Sequence, residues 1–234
     1  MATLIFLVIV IALIVIATAK YKFHPFLSLL LATIIMGFAT GLDSVMLLNS
    51  LTEGFGKTLS SIGVIIAFGT IIGTYLEKSG GAMSMANAII KFIGEKKSAL
   101  AINITGFVVS IPVFCDSGFV ILSTLNKALS KKSGISLVVF AVALSAGLYA
   151  THVFVPPTPG PLAAAAILKA DLALVIIFGL VVAFFSSLTG YFWALYIGKK
   201  ISVSVEESFE VKYDKQATPK TSLSFAPIII PIIL

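Results

Sequence analysis

Between Lys132 and Lys169 the chain runs for 36 residues, Ser133–Leu168, without an Asp, Glu, Lys or Arg. The hydrocarbon core of a bilayer takes about 20 apolar residues in a helix, so a run of this length belongs in a membrane. Thr3–Ala19, Pro25–Leu42, Thr58–Leu76 and Leu172–Gly198 are likewise free of charge, and Ser98–Asn126 carries Asp116 as its one charged residue. Composition agrees. Hydrophobic residues make up 59% of the chain, charged residues 11%, and the mean hydropathy is +1.11; soluble domains average about 25% charged residues. These values exclude a soluble enzyme, a secreted disulfide scaffold, a disordered tail and a nucleic-acid module. The partner they imply is the lipid bilayer.

Order and orientation follow from the lysines. All sixteen basic residues are Lys, so no guanidinium fork exists to hold an anion. Ala17-Thr18-Ala19 has the small-residue pattern of a signal-peptide cleavage site, but no basic residue precedes the first apolar run. A transmembrane helix with its N-terminus outside is therefore expected. The spans read 3–19, 25–42, 58–76 and 172–198, with a segment at 98–126 too long for one crossing and too short for two. If 98–126 crosses once, the lysines divide 7 inside to 9 outside; if it enters and turns back, they divide 14 to 2. Basic residues collect on the cytoplasmic side, so the distribution predicts a re-entrant hairpin, turning near Pro112 and Asp116-Ser117-Gly118.

The next segment, 135–168, meets Pro156-Pro157-Thr158-Pro159-Gly160-Pro161. Proline lacks an N–H and disfavours helix in the residue before it, so a broken helix with an unwound middle is predicted. Gly80–Lys97 has Met83, Ala86, Ile90 and Ile93 on one helical face and Asn87 and Lys91 opposite, which suits a helix lying in the cytoplasmic interface. Residues 201–220, with four carboxylates and three lysines, read as a cytoplasmic linker. Residues 221–234 then open a new apolar segment. The fold class is an all-α integral membrane protein: an N-terminal transmembrane half over 1–200, the linker, and the start of a second half. Five full crossings precede the linker, which implies a second bundle of opposite orientation, the arrangement of inverted-repeat transporters.

Few residues carry chemistry. Asp116 is the one carboxylate within an apolar segment, where a charge costs about 2.5–3.5 kcal/mol on insertion scales. It reads either as a proton-coupling group or as a permanently satisfied cap at the hairpin tip. Ser117 and Gly118 follow it, where exposed N–H groups of a returning half-helix suit an anion. Cys115 reads as a packing residue. His152 stands beside the proline break, either as a hydrogen-bond donor or proton relay, or as a neutral ring satisfying carbonyls that the break frees. Thr158 and Gly160 lie in the unwound stretch, which is tolerated where it is buried or lines a cavity; Thr151 reads as bonding back to its own helix. Gly69 and Gly73 permit close helix packing. Tyr191, Trp193 and Tyr196 read as interface anchors. Gly54-Phe55-Gly56-Lys57-Thr58 fails as a phosphate loop, because Leu51 stands where a glycine is needed and no strand precedes it. Two isolated His and one Cys supply no metal-ligand set, and no HExxH, GxSxG or paired intramembrane carboxylates are present. The expectation is no metal, no cofactor and no enzyme.

Three stretches carry a family likeness: GFGKTLSSIGVIIAFGTIIGTYLEKSGGA over Gly54–Ala82, PVFCDSGFVIL over Pro112–Leu122, and THVFVPPTPGPLAAAA over Thr151–Ala166. They closely resemble the gluconate permease family of bacterial proton symporters, whose members are considerably longer. The resemblance implies an elevator-type carrier of the ion-transporter superfamily in the bacterial inner membrane, often dimeric, importing sugar acids such as gluconate. Relatives carry fructuronate, idonate, glycerate or D-serine, and a channel-like anion pathway is the alternative use of the same broken segments. By motif position it assigns Asp116, Ser117, Gly118, His152, Thr158 and Gly160 to the site, with an anionic small molecule and protons as partners. Asp116 is the proton-coupling candidate; the other five are candidates for binding substrate.

Overall fold

The computed structural model describes residues 2–204 and 219–233. The linker expected at 201–220 therefore lies mostly outside the described residues. Every element described is helical. The chain divides into two compact units, Met1–Ser61 and Ile62–Leu234.

The first unit holds α1 (Ala2–Ala19), α2 (Pro25–Ala39) and α3 (Ser44–Thr58), with α1 packed on α2 and α2 on α3. Pro25 opens α2, where a missing N–H costs nothing. Asp43 starts α3 by accepting from the N–H groups of Val45 (2.8 Å) and Met46 (2.9 Å). Residues 43–57, expected to connect two spans, are helical for that reason, helped by the exposed i,i+4 pair of Glu53 and Lys57. Most of the large side chains of α1 and α2 are exposed, Leu4 at 64% and Phe26 at 57% among them. A water-soluble helix would not present such a surface; lipid accepts it.

The second unit begins within a π-helical turn, Leu59–Gly63, and contains α4 (Val64–Lys78), α5 (Gly81–Ile93), α6 (Ser98–Val109), α7 (Cys115–Ser133), α8 (Leu137–Phe154), α9 (Pro159–Leu168), α10 (Leu172–Gly198) and α11 (Thr221–Ile233). Among the described residues, three helical runs are by length and composition able to cross a bilayer: Ser44–Lys78, Leu137–Leu168 and Leu172–Gly198. The predicted hairpin is α6 and α7, packed together and joined across Ser110–Phe114. At 1.5 Å per residue, twelve-residue α6 rises about 18 Å. That is short of a core about 30 Å thick, as a segment that turns back requires. The returning arm outlasts the apolar stretch and ends with Lys131 and Lys132 in its last turn, where cations favour the helix dipole. The predicted broken helix is α8 and α9, interrupted over Val155–Thr158.

α6, α8 and α10 form the scaffold, held by small residues and a buried polar link. A Cβ on Gly106 would sit 2.7 Å from the Leu144 carbonyl oxygen, and one on Gly147 would run into that of Asn103. The Asn103 side-chain amide donates to the Ala143 carbonyl (2.9 Å) and the Ser187 carbonyl (3.3 Å), while the Ser187 hydroxyl donates back to Asn103 Oδ1 (3.0 Å). Interhelical bonds of this kind average about 0.6 kcal/mol in a membrane protein. Thr151 donates to the Phe107 carbonyl on α6 at 2.8 Å, a closer partner than the carbonyl of its own helix at 3.4 Å. The back-bond expected from sequence is present, and the shorter bond to α6 is the addition.

α5 also departs from expectation. Its face of Ala82, Met85 and Ala86 is wholly buried, Ile90 nearly so, and Ser84 donates to the Pro219 carbonyl before α11. The apolar face expected to meet lipid packs on protein instead, and Asn87 and Lys91 stay exposed as expected. Ala82 and Ala86 let α6 approach, Met85 and Ile90 fill the core beside them, and Met83 and Ile93 only flank it. At the far end of α10 Trp193 and Tyr196 are exposed and Lys200 lies 4.6 Å from the Tyr196 ring, while Tyr191 is half-buried against Val139 and Ala194.

Gly147→Ala should therefore destabilise the detergent-solubilised protein by about 1–3 kcal/mol, the range of core overpacking. Gly56→Ala, where nothing stands within 4 Å of the added carbon, should be neutral or stabilising by up to about 1 kcal/mol. Thermal melting of the two variants checks this; equal melting would mean that α6 and α8 do not meet at Gly147.

Candidate functional site

The hairpin turn and the helix break both seat on α4. A Cβ on Gly69 would come within 3.2–3.3 Å of the Pro157 ring, and one on Gly73 would collide with the main-chain oxygen of Pro112. The two glycines, one helical turn apart, thus let two non-helical segments lie against one helix. The packing is tight. The gap between Gly69, Thr70, Pro112, Phe114, Pro157 and Thr158 encloses only about 10 Å³. A far larger cavity of about 630 Å³ lies beside them, but its walls are apolar side chains such as Phe68, Ile72, Ile111, Leu162 and Ile176. None of the six predicted site residues lines it, and it offers nothing to a hydrophilic anion.

The polar cluster is elsewhere, where the first turn of α7 meets the last turns of α8. Asp116 is the second residue of α7 and is exposed. The Phe114 N-cap position supplies no side-chain acceptor, so the first N–H groups of the helix keep the bonding capacity that helix starts leave over. The Cys115 thiol points at Asp116 Oδ1, 3.7 Å away. Ser117 is half-buried and Gly118 buried. A Cβ on Gly118 would lie 2.8 Å from a Leu148 methyl group, so this glycine sets how closely α7 approaches α8.

His152 completes the cluster from α8. Its ring stands edge-on to Phe114 (centroids 5.9 Å apart) and to Tyr149 (6.5 Å), within electrostatic reach of Asp116. Its Nδ1 is buried and has no hydrogen-bond partner. The carbonyls freed by the break are not satisfied by the ring. The Thr158 hydroxyl covers two of them, sharing its one proton between the His152 carbonyl at 2.7 Å and the Val155 carbonyl at 2.9 Å. Thr158 is 5% exposed, and its hydroxyl serves the backbone. Gly160 stands exposed at the start of α9, with open space around it. The structure therefore brings together Asp116, Ser117, Gly118 and His152, ties Thr158 to the cluster through the His152 backbone, and leaves Gly160 open to the outside. Two members were not singled out from sequence. Phe114 sits beside Asp116 in the hairpin motif, and Tyr149 lies three residues before His152, a spacing that puts both on one helix face. Among the described residues no three His, Cys, Asp or Glu side chains gather as a metal site would require.

A hairpin and a broken helix in an all-helical, lipid-suited chain define a multi-pass helical membrane protein. The chain belongs to the GntP family of permeases, whose family model matches residues 2–234; these are permeases and not enzymes. It is 40% identical to an uncharacterised permease of Haemophilus influenzae, over 97% of this chain and 49% of that protein. It is 34% identical to a gluconate permease of Pseudomonas aeruginosa, over 97% of this chain and 52% of the relative. It is 32% identical to the D-serine transporter DsdX of Escherichia coli, again over 97% and 52%. The chain thus spans about half the length of these relatives. No solved structure matches it.

Removing the Thr158 hydroxyl tests the break. Thr158→Val leaves two carbonyls without that donor and should cost about 1–3 kcal/mol of stability, seen as a lower melting temperature. Thr158→Ser keeps the donor and should recover most of it. A Val variant as stable as wild type would show that the hydroxyl does not hold the break.

Proposed function

We propose that the protein imports a sugar acid, gluconate first among candidates, by symport with a proton in the bacterial inner membrane. The observation that carries the reading is an exposed Asp116 in the first turn of α7, beside a His152 whose buried Nδ1 has no partner. A substrate carboxylate would sit at that turn on main-chain N–H groups and Ser117, in the field of a helix N-terminus. An ionised Asp116 repels it; a protonated Asp116 does not, and can donate to it. Substrate and proton would then favour each other's binding, which is the coupling a symporter needs. The matches to gluconate permeases of Pseudomonas aeruginosa and Zymomonas mobilis support the sugar acid. The match to DsdX supports the second reading, a carrier of D-serine or another small carboxylate through the same turn. The lysine distribution supports an outside N-terminus and a cytoplasmic 201–220 linker, and the elevator likeness supports a homodimer.

Uptake of labelled gluconate by the whole protein in membrane vesicles tests the reading, with and without a protonophore and with D-serine as competitor. Accumulation should collapse with the protonophore and withstand D-serine. Asp116→Asn should lose accumulation against a gradient while keeping downhill exchange. Undiminished, protonophore-sensitive accumulation by that variant would take Asp116 out of the proton path.

A further inference from the structure

The site just proposed leaves one polar side chain without a task. Tyr149 stands on α8, between Leu148 at 1% exposure and Ala150 at 5%, yet is itself 56% exposed. Its ring lies 6.5 Å from His152, edge-on. Its side chain is within electrostatic reach of Cys115 and Asp116, the first two residues of α7. Tyr149 therefore lies beside the turn that would hold a carboxylate, three residues before His152, whose own ring stands 5.9 Å from Phe114 at the start of α7.

Its chemistry differs from its neighbours'. On the reading above the Asp116 proton goes to the substrate carboxylate, the His152 Nδ1 is buried, and the Cys115 thiol is a weak donor already aimed at Asp116. A phenol both donates and accepts while staying neutral near pH 7. A substituent on the carbon next to a carboxyl group is two bonds from the carboxyl carbon, so whatever recognises it has to stand beside the carboxylate's own site. Resting on the carboxylate reading of the α7 turn, we infer that Tyr149 is a specificity-determining residue: its phenol hydrogen-bonds the α-hydroxyl (or α-amine) of the substrate and selects 2-substituted acids over plain ones.

The assignment makes a prediction that a packing role for the ring does not. In vesicles bearing the whole protein, gluconate and the same six-carbon acid lacking its 2-hydroxyl are compared as inhibitors of labelled gluconate uptake. Wild type should bind the deoxy acid about fivefold to tenfold more weakly, the worth of one neutral hydrogen bond. Tyr149→Phe keeps the aromatic body. It should raise KM for gluconate by a similar factor, leave the maximal rate unchanged, and bring the two acids to near-equal affinity, the signature of lost binding common to ground and transition states. A Tyr149→Phe protein that keeps the wild-type ratio overturns the assignment, as does a wild type that treats the two acids alike. Wild-type vesicles that take up and bind neither acid overturn the carboxylate reading and this inference together. Uptake with an unmoved ratio sinks Tyr149 alone.

Discussion

A backbone group that leaves its helix inside hydrocarbon has only its own protein to bond to, and the second unit is arranged around that constraint. The break after α8 is built mostly of prolines. Pro156, Pro157 and Pro159 bring no N–H groups, so what the break leaves over is chiefly acceptors. Acceptors need donors, and one hydroxyl can share its proton between two of them. Thr158 does so, reaching the carbonyls of His152 and Val155. Because Thr158 holds the backbone, the His152 ring is not used up in repairing it. Its position beside Asp116 is thereby left for other chemistry.

The same constraint explains why the turn of the hairpin and the break share a support. Each is a short piece of non-helical chain that has to be covered, and each finds cover against α4 where Gly69 and Gly73 expose helix backbone. Behind them α6, α8 and α10 lock together through close glycine contacts and the Asn103–Ser187 link. α7 is then positioned by the fit of Leu148 to Gly118. The consequence for function is that Asp116 rides on the returning hairpin arm while His152 and Tyr149 ride on the scaffold. A shift of the arm against α8 would change the distance between the carboxylate and its two aromatic neighbours together with the Gly118–Leu148 fit.

Much of this was legible in the sequence because the strongest signals are those the bilayer imposes. Uncharged runs marked the helices, prolines marked the break, and the lysine distribution pointed to a turn near Pro112 that the α6–α7 hairpin supplies. What periodicity could not decide was the partner of an amphipathic face. Gly80–Lys97 shows a one-sided apolar stripe whether it lies on lipid or under α6. The difference rests on Ala82 and Ala86 being small enough for another helix to close on them. The role of Thr158 was equally hidden. A hydroxyl in an unwound stretch reads the same whether it faces a substrate or its own carbonyls, and only its distances to the His152 and Val155 oxygens separate the two. Tyr149 escaped notice because an aromatic in an apolar run ordinarily means lipid contact, and its meeting with α7 is a tertiary fact.

The electrostatics of a turn to which this chain brings no arginine set the last condition. A helix N-terminus offers the equivalent of roughly half a positive charge. Ahead of α7 that half charge would face two negative ones, a substrate carboxylate and Asp116, and the sum is repulsive. Removing Asp116 would give a site that binds the anion with no reference to protons; keeping it ionised would give a site that does not bind. One proton on Asp116 leaves a single negative charge before the helix end and turns the acid into a donor. On the proposed reading the carboxylate is thus the element that makes binding conditional, and the weakness of a dipole compared with a guanidinium is what lets one proton decide the outcome. An arginine in the same turn would hold the anion whether or not the proton came.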